Sequence, residues 1–277
     1  MMDFGFSCPV CGAGLVDQRP EKRCAQCKRG HSFDFAKEGY LYLLQPQKKH
    51  SRFPGDDREM VKARRRFLGA GHYALFAEAL AKLLKESLSE NPAPVLLDAG
   101  CGEGYYTARV QRALPKARLF GVDISKDAVR LASKAVPGAR FAVASSFSLP
   151  FADAGADALY DVFSPVVPEE FARVVKPGGL FVLAVPAARH LFGLKALLYD
   201  HPYENPVQDT SYPHFAFLKR VPVRGALTLS GAAARDLFAM TPYAWKTPFS
   251  GKERLKACAL LKTEIGFDFL CYRRTDS

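Results

Sequence analysis

The sequence predicts an α/β protein, a parallel, doubly wound sheet of seven strands with a small metal-binding module at its N-terminus. Three observations carry this expectation. The apolar run Val95-Leu-Leu-Asp98 leads into Gly100, Gly102 and Gly104 and then into a helix-periodic segment, which reads as a strand, a tight turn and a helix around a ligand. Strand-like and helix-like segments then alternate towards the C-terminus, which implies parallel pairing. Cys8, Cys11, Cys24 and Cys27 form two C-x2-C pairs separated by twelve residues, a spacing suited to tetrahedral zinc.

Taken in order, the module comes first. Cys8, Cys11 and Cys27 are ligand candidates under any reading. The fourth ligand is either Cys24, giving an all-cysteine site, or His31, which follows Cys27 as C-x3-H; spacing favours Cys24. Four protein ligands leave no open position, so the zinc is structural. A segment of about 30 residues has little core, and the metal supplies much of its folding energy. Alternation over Tyr40–Leu44 predicts a strand that closes this module, residues 1–44. Residues 45–72 follow as a basic linker and helix. Gln45 to Asp57 carries Pro46, Pro54 and Gly55 and reads as a loop. Lys48, Lys49, Arg52, Arg58, Lys62, Arg64, Arg65 and Arg66 stand against Asp56, Asp57 and Glu59, so five of the chain's net +11 charges concentrate here. Such a patch attracts nucleic acid or another polyanion.

Residues 73–277 make the α/β domain. Its glycines are spaced G-x-G-x-G, not the dinucleotide pattern G-x-G-x-x-G. Asp123 ends the second strand-like run, about 20 residues beyond the glycines, where an acid can take both hydroxyls of a ribose. No arginine stands beside it to favour a 2′-phosphate. Further strand candidates are 118–123, 139–143, 158–163, 180–185, part of 217–229, and 267–273. Helical patterns cover 105–114, 126–136, 169–175, 188–199 and 231–240. Asp98, Asp123, Ser145 and Ser164 then lie at the carboxyl edge of the sheet, where ligands bind in such folds. Lys176-Pro-Gly-Gly179 is a turn. Cys101, inside the glycine turn, reads as a packing residue, as do Cys258 and Cys271.

At this point the chain resembles the class I S-adenosylmethionine (SAM) methyltransferases, whose first motif, D-x-G-C-G-x-G, is matched by Asp98 through Gly104. In that Rossmann-like fold the residues after the third strand border an adenine ring. This makes Ser145 a cofactor candidate and Phe147, Leu149 and Phe151 candidate walls, with solvated loop or core as the alternatives. A narrower resemblance spans nearly the whole chain. The zinc module, H-S-F-D-F-A-K-E-G-Y, M-V-K-A-R-R-R-F-L-G-A-G-H-Y, D-A-G-C-G-E-G-Y-Y-T, R-V-V-K-P-G-G and M-T-P-Y-A-W together resemble the RlmA-type family. Its members methylate guanine N1 in a hairpin of 23S ribosomal RNA. The resemblance implies SAM and structural Zn²⁺ as cofactors and 23S rRNA as partner. It implies Tyr73, the loop Gly100–Cys101–Gly102–Gly104 and His190 as cofactor contacts. Its zinc ligands are three cysteines and a histidine, which selects Cys27 and His31; the additional Cys24 keeps the fourth ligand open.

Guanine N1 must lose a proton to be methylated. Asp161, Glu169 and Glu170 fall near the expected edge as candidate bases, but each reads first as a solvated or helix-capping acid, so the catalytic residue is unassigned. Two other readings stand beside this one: a SAM enzyme acting on a small molecule, and an RNA-binding protein that keeps SAM without using it. No run of 18 apolar residues and no secretion signal appear, and the thiol-rich module suits a reducing cytoplasm. A large RNA is compatible with a homodimer, although no heptad repeat announces one.

Overall fold

The computed structural model describes residues 2–45, 57–207 and 210–276. Of the loop expected from Gln45 to Asp57, residues 46–56, with Lys48, Lys49 and Arg52, lie outside the described residues. Strands β1 (Met2–Ser7), β2 (Gly14–Asp17), β3 (Cys24–Cys27) and β4 (Ser32–Asp34) form one antiparallel sheet. Next come β5 (Leu41–Tyr42), α1 (Arg58–Gly69), α2 (Ala74–Ser87), β6 (Val95–Ala99), α3 (Tyr105–Ala113), β7 (Arg118–Asp123), α4 (Lys126–Ala135), β8 (Arg140–Val143) and β9 (Ala156–Val162). The chain continues through α5 (Pro168–Val174), β10 (Val175–Pro186), α6 (Phe192–Leu198), β11 (Phe215–Ser230), α7 (Gly231–Ala239), α8 (Tyr243–Lys246), α9 (Phe249–Ala257) and β12 (Leu260–Arg274).

Among the described residues the large sheet has eight strands in the order β11-β12-β10-β9-β6-β7-β8-β5. Two expectations are corrected here. The strand near Tyr40–Leu44 does not close the small module. It joins the large sheet as an eighth strand, with Leu41 opposite Ala142 and the Leu43 amide donating to the Val143 carbonyl at 2.9 Å. Tyr40, Leu41, Leu43 and Leu44 are all buried, as befits a strand beside a parallel sheet and not a one-sided flap. The sheet is also mixed and not wholly parallel, because β12 runs antiparallel to both β10 and β11. The helices α7–α9 leave and re-enter at the same end of the sheet, where Ser230 pairs with Leu260, so the chain makes no crossover before β12.

Local chemistry sets the helix starts. Asp57 caps α1 by accepting from the amides of Glu59 and Met60, both at 2.9 Å. Ser125 and Ser230 cap α4 and α7. The helix expected from Ala188 begins only at Phe192, because Leu191 sits at φ 60° in the left-handed region. The small module does not stand apart. Phe4, Phe6 and Phe35 share one buried cluster with Phe120 and Phe151 of the large domain, and Phe6 meets Phe120 edge-on at 5.3 Å. Each such ring contributes about 1.5–3 kcal/mol of burial, so the seam is part of the core.

Candidate functional site

In the module, ligand atoms of Cys8, Cys11, Cys27 and His31 all lie within 4.8 Å of one another. Cys8 Sγ is 3.6 Å and Cys27 Sγ 3.4 Å from His31 Nδ1, and Cys11 Sγ is 3.7 Å from Cys27 Sγ. A tetrahedron with Zn–S of about 2.3 Å and Zn–N of about 2.0 Å has edges of about 3.5–3.8 Å, so this donor set fits zinc. Cys24, which spacing favours as the fourth ligand, is not among the four. Cys24 to Cys27 is extended strand, and strand residues three apart face opposite ways. The first pair does turn, with the Gly12 amide donating to the Cys8 carbonyl. A second turn after β3, closed by Gly30 N–H to the Cys27 carbonyl, brings His31 beside Cys27. Burial raises the Cys27 thiol, but backbone amides of Arg29 and His31 and the side chains of Cys11 and His31 outweigh it and bring the thiol down to about 6.

The glycine loop sits between the carboxyl ends of β6 and β7. Asp98 on β6 is buried and accepts from Thr107 Oγ1 at 2.5 Å. Burial, with Asp161 and Asp123 adding repulsion, pushes its carboxyl up to about 7. Gly100 has φ 87°, and a Cβ there would lie 2.3 Å from Cβ of Ser164. Gly102, at φ 54°, faces open space. Its amide donates to Asp123 Oδ2 at 2.9 Å, and the Ser125 amide donates to Oδ1 at 2.8 Å. Asp123 therefore laces the loop to the second strand. Gly104, at φ 84°, opens α3, whose N-terminus faces the same space. An open cradle of glycine backbone, a helix N-terminus and a carboxylate two strands wide fit an adenosyl cofactor with a carboxylate tail.

Cys101 is buried within the turn, and burial pushes its thiol well above the usual range, which suits packing and not nucleophilic attack. Ser145 lies just beyond β8, with its Oγ accepting from the Phe147 amide at 3.2 Å. Leu149 and Phe151 belong to the core, and Phe147 is exposed. Tyr73 and His190 come together with their ring centres 6.2 Å apart, and Phe267 packs against both. His190 Nδ1 accepts from the Gly266 amide at 3.2 Å, so the neutral ring carries its proton on Nε2. Burial foremost, with Lys195 adding to it, pushes its pKa down to about 3.

Among the acids considered as bases, Glu170 accepts from the Leu149 amide and is ion-paired with Arg173 at 2.7 Å, and Glu169 is exposed on α5. Asp161 is buried and accepts from both the amide and the hydroxyl of Ser164, each at 2.8 Å, while burial raises it to about 7. The Ser164 hydroxyl also lies 2.9 Å from the Ala99 carbonyl, sharing its one proton between that oxygen and Asp161, and so ties the end of β9 to the loop. In the basic segment Arg66 pairs with Asp236 and docks α1 on α7, and Lys62 pairs with Glu59, while Arg58 and Arg65 are exposed.

The family model described as "RlmA, N-terminal", a zinc ribbon, matches residues 6–52, and the one described as "Methyltransferase domain" matches residues 96–179. A Streptomyces fradiae protein named 23S rRNA (guanine(748)-N(1))-methyltransferase is 34% identical, with 86% of this chain and 85% of that protein covered. A Micromonospora griseorubida protein, provisionally named a 23S rRNA (guanine-N(1)-)-methyltransferase, is 36% identical over 87% and 86% of the two chains. This chain belongs to the RlmA family. A Bacillus subtilis member, YxjB, provisionally named for the same activity, matches it at 32% identity over 97% of each chain. The solved structure of the YcgJ protein from Bacillus shares the fold at 17% identity, with a TM-score of 0.51 over 71% of this RlmA-family chain and 98% of that one. The chain combines a zinc ribbon with a SAM-dependent methyltransferase domain of class I. None of its described helices is long and apolar enough to cross a membrane.

Proposed function

We propose that this enzyme transfers the methyl group of SAM to N1 of a guanine in a hairpin of 23S ribosomal RNA. The observation that carries this reading is the union, in one continuous core, of a Cys3His ribbon and a glycine loop laced to Asp123, in a chain whose relatives over most of their length bear that activity in their names. Residues 1–44 and the basic segment 45–72 would hold RNA, and residues 73–277 would carry the chemistry.

In this reading Cys8, Cys11, Cys27 and His31 hold zinc. Asp98, Gly100, Cys101, Gly102, Gly104, Asp123 and Ser145 line the cofactor site on one side, with Tyr73 and His190 on the other. SAM, when bound, supplies an electrophilic methyl on a sulfonium whose charge favours the guanine anion. The protein's share is to bring N1 in line with that methyl, for which orientation and exclusion of water supply much of the rate. The lone pair on His190 Nδ1 is committed to Gly266, so at that atom His190 cannot take the N1 proton.

A small-molecule methyltransferase would leave the ribbon and the basic segment without a role. The two readings separate when labelled SAM is offered with unmodified 23S rRNA or with a metabolite pool. Label at N1 of one guanine, located by primer extension, is the expected result; label confined to small molecules would overturn it. Charge reversal at Arg58 and Arg65 together is expected to weaken RNA binding and reduce the slope of log affinity against log salt by about 2. An unchanged slope would take α1 out of the interface.

A further inference from the structure

Phe163 is an aromatic residue in a position that its own fold does not reward. It follows the last residue of β9 and has φ 64°, a left-handed conformation that a bulky side chain rarely adopts. Its side chain remains 49% exposed, so the strain is not offset by burial. The conformation is held by its neighbour: Ser164 is tied to Ala99 and Asp161 and is wedged against Gly100 of the cofactor loop. The ring is braced from one side, edge-on to Phe267 at 4.6 Å and near-parallel to His190 at 6.2 Å. A strained, braced, half-exposed ring beside a cofactor loop is an arrangement expected of a ligand contact.

The sheet order tells which ligand. The ribose carboxylate Asp123 and Ser145 lie on β7 and beyond β8, on one side of β6, whereas Phe163 ends β9 on the other. The adenosyl moiety is therefore directed away from Phe163, and the methyl-accepting partner approaches it. We propose that Phe163 is the platform on which the target guanine stacks once it leaves its RNA neighbours, positioning N1 towards the methyl group. An aromatic face replaces the stacking that an extruded base loses. This inference rests on the guanine reading above.

The test uses the full-length zinc-loaded enzyme and an unmodified 23S hairpin transcript. Phe163→Ala is expected to lower kcat/KM for RNA about tenfold to hundredfold while SAM affinity by calorimetry stays within about twofold. Phe163→Tyr and Phe163→Trp should retain most activity, and Phe163→Leu, apolar but without a π face, should resemble Phe163→Ala. Phe163→Gly relieves the backbone strain, so it should melt no lower than wild type yet be as inactive as Phe163→Ala, which a purely structural role would not produce. Wild-type activity in Phe163→Leu, or a loss of SAM affinity matching the loss of activity, would overturn the proposal. Failure of the wild-type enzyme to label any guanine would instead remove the guanine reading, and the proposal with it.

Discussion

Stripping zinc from the purified enzyme is expected to unfold the ribbon and to cost the distant SAM site at least about tenfold in affinity. Structural zinc contributes about 10–16 kcal/mol to small metal-dependent modules, and here its ligands tie the turn after β1 to the turn after β3. The effect reaches the cofactor through the seam. Phe4, Phe6 and Phe35 cover Phe120 and Phe151. The Ser7 amide donates to the Pro150 carbonyl at 2.8 Å, and Arg140 donates to the Phe4 carbonyl at 2.7 Å. β5 lies on β8, the strand that delivers Ser145. Metal analysis with SAM calorimetry, before and after chelation, reads both ends. Cys27→Ser should reproduce chelation, whereas Cys24→Ser should keep one zinc per chain. A full metal content in Cys27→Ser, or SAM affinity indifferent to chelation, would refute this account.

Gly100→Ala is expected to destabilise the catalytic domain and to abolish SAM binding together. The added Cβ would fall 2.3 Å from Ser164 Cβ and 2.6 Å from its Oγ, at a backbone φ of 87°. Overpacking typically costs about 1–3 kcal/mol and a left-handed non-glycine residue about 1–2 kcal/mol, so a loss of about 2–5 kcal/mol of stability should accompany loss of SAM binding. Because the clash is with a side chain, Ser164→Gly in the same molecule should restore the steric part and leave the backbone part, a coupling that a double-mutant cycle measures by denaturant unfolding. Gly102→Ala is the contrast. It meets nothing within 4 Å, so it should fold with only the backbone penalty, while its methyl intrudes on the cofactor space. Equal destabilisation by the two substitutions would show that crowding against Ser164 is not what selects glycine at position 100.

Much of this was legible in the chain, for reasons that can be named. The run 118–123 coincides with β7, and the glycine turn is bounded by residues whose local preferences agree with the fold. The errors arose where pairing is decided far away. Tyr40–Leu44 has strand chemistry, but nothing local says which sheet it joins. Strand direction at β12 depends on α7–α9 returning to the end they left, which periodicity does not encode. Cys24 has ligand spacing, yet the strand geometry of Cys24–Cys27 turns it away, and only the turn ending at His31 supplies the fourth donor. Phe163 was hidden for a similar reason: a backbone dihedral and a half-exposed ring leave no trace in composition.

The return of α7–α9 to their point of departure has a wider meaning. Carried on the two long strands β11 and β12, these helices stand over the carboxyl edge like a roof on a pair of posts. Their sequence can be lengthened, shortened or exchanged without breaking any rung between the strands that cradle the donor. The fold thus separates what stands over the edge from the pairing of the strands beneath it.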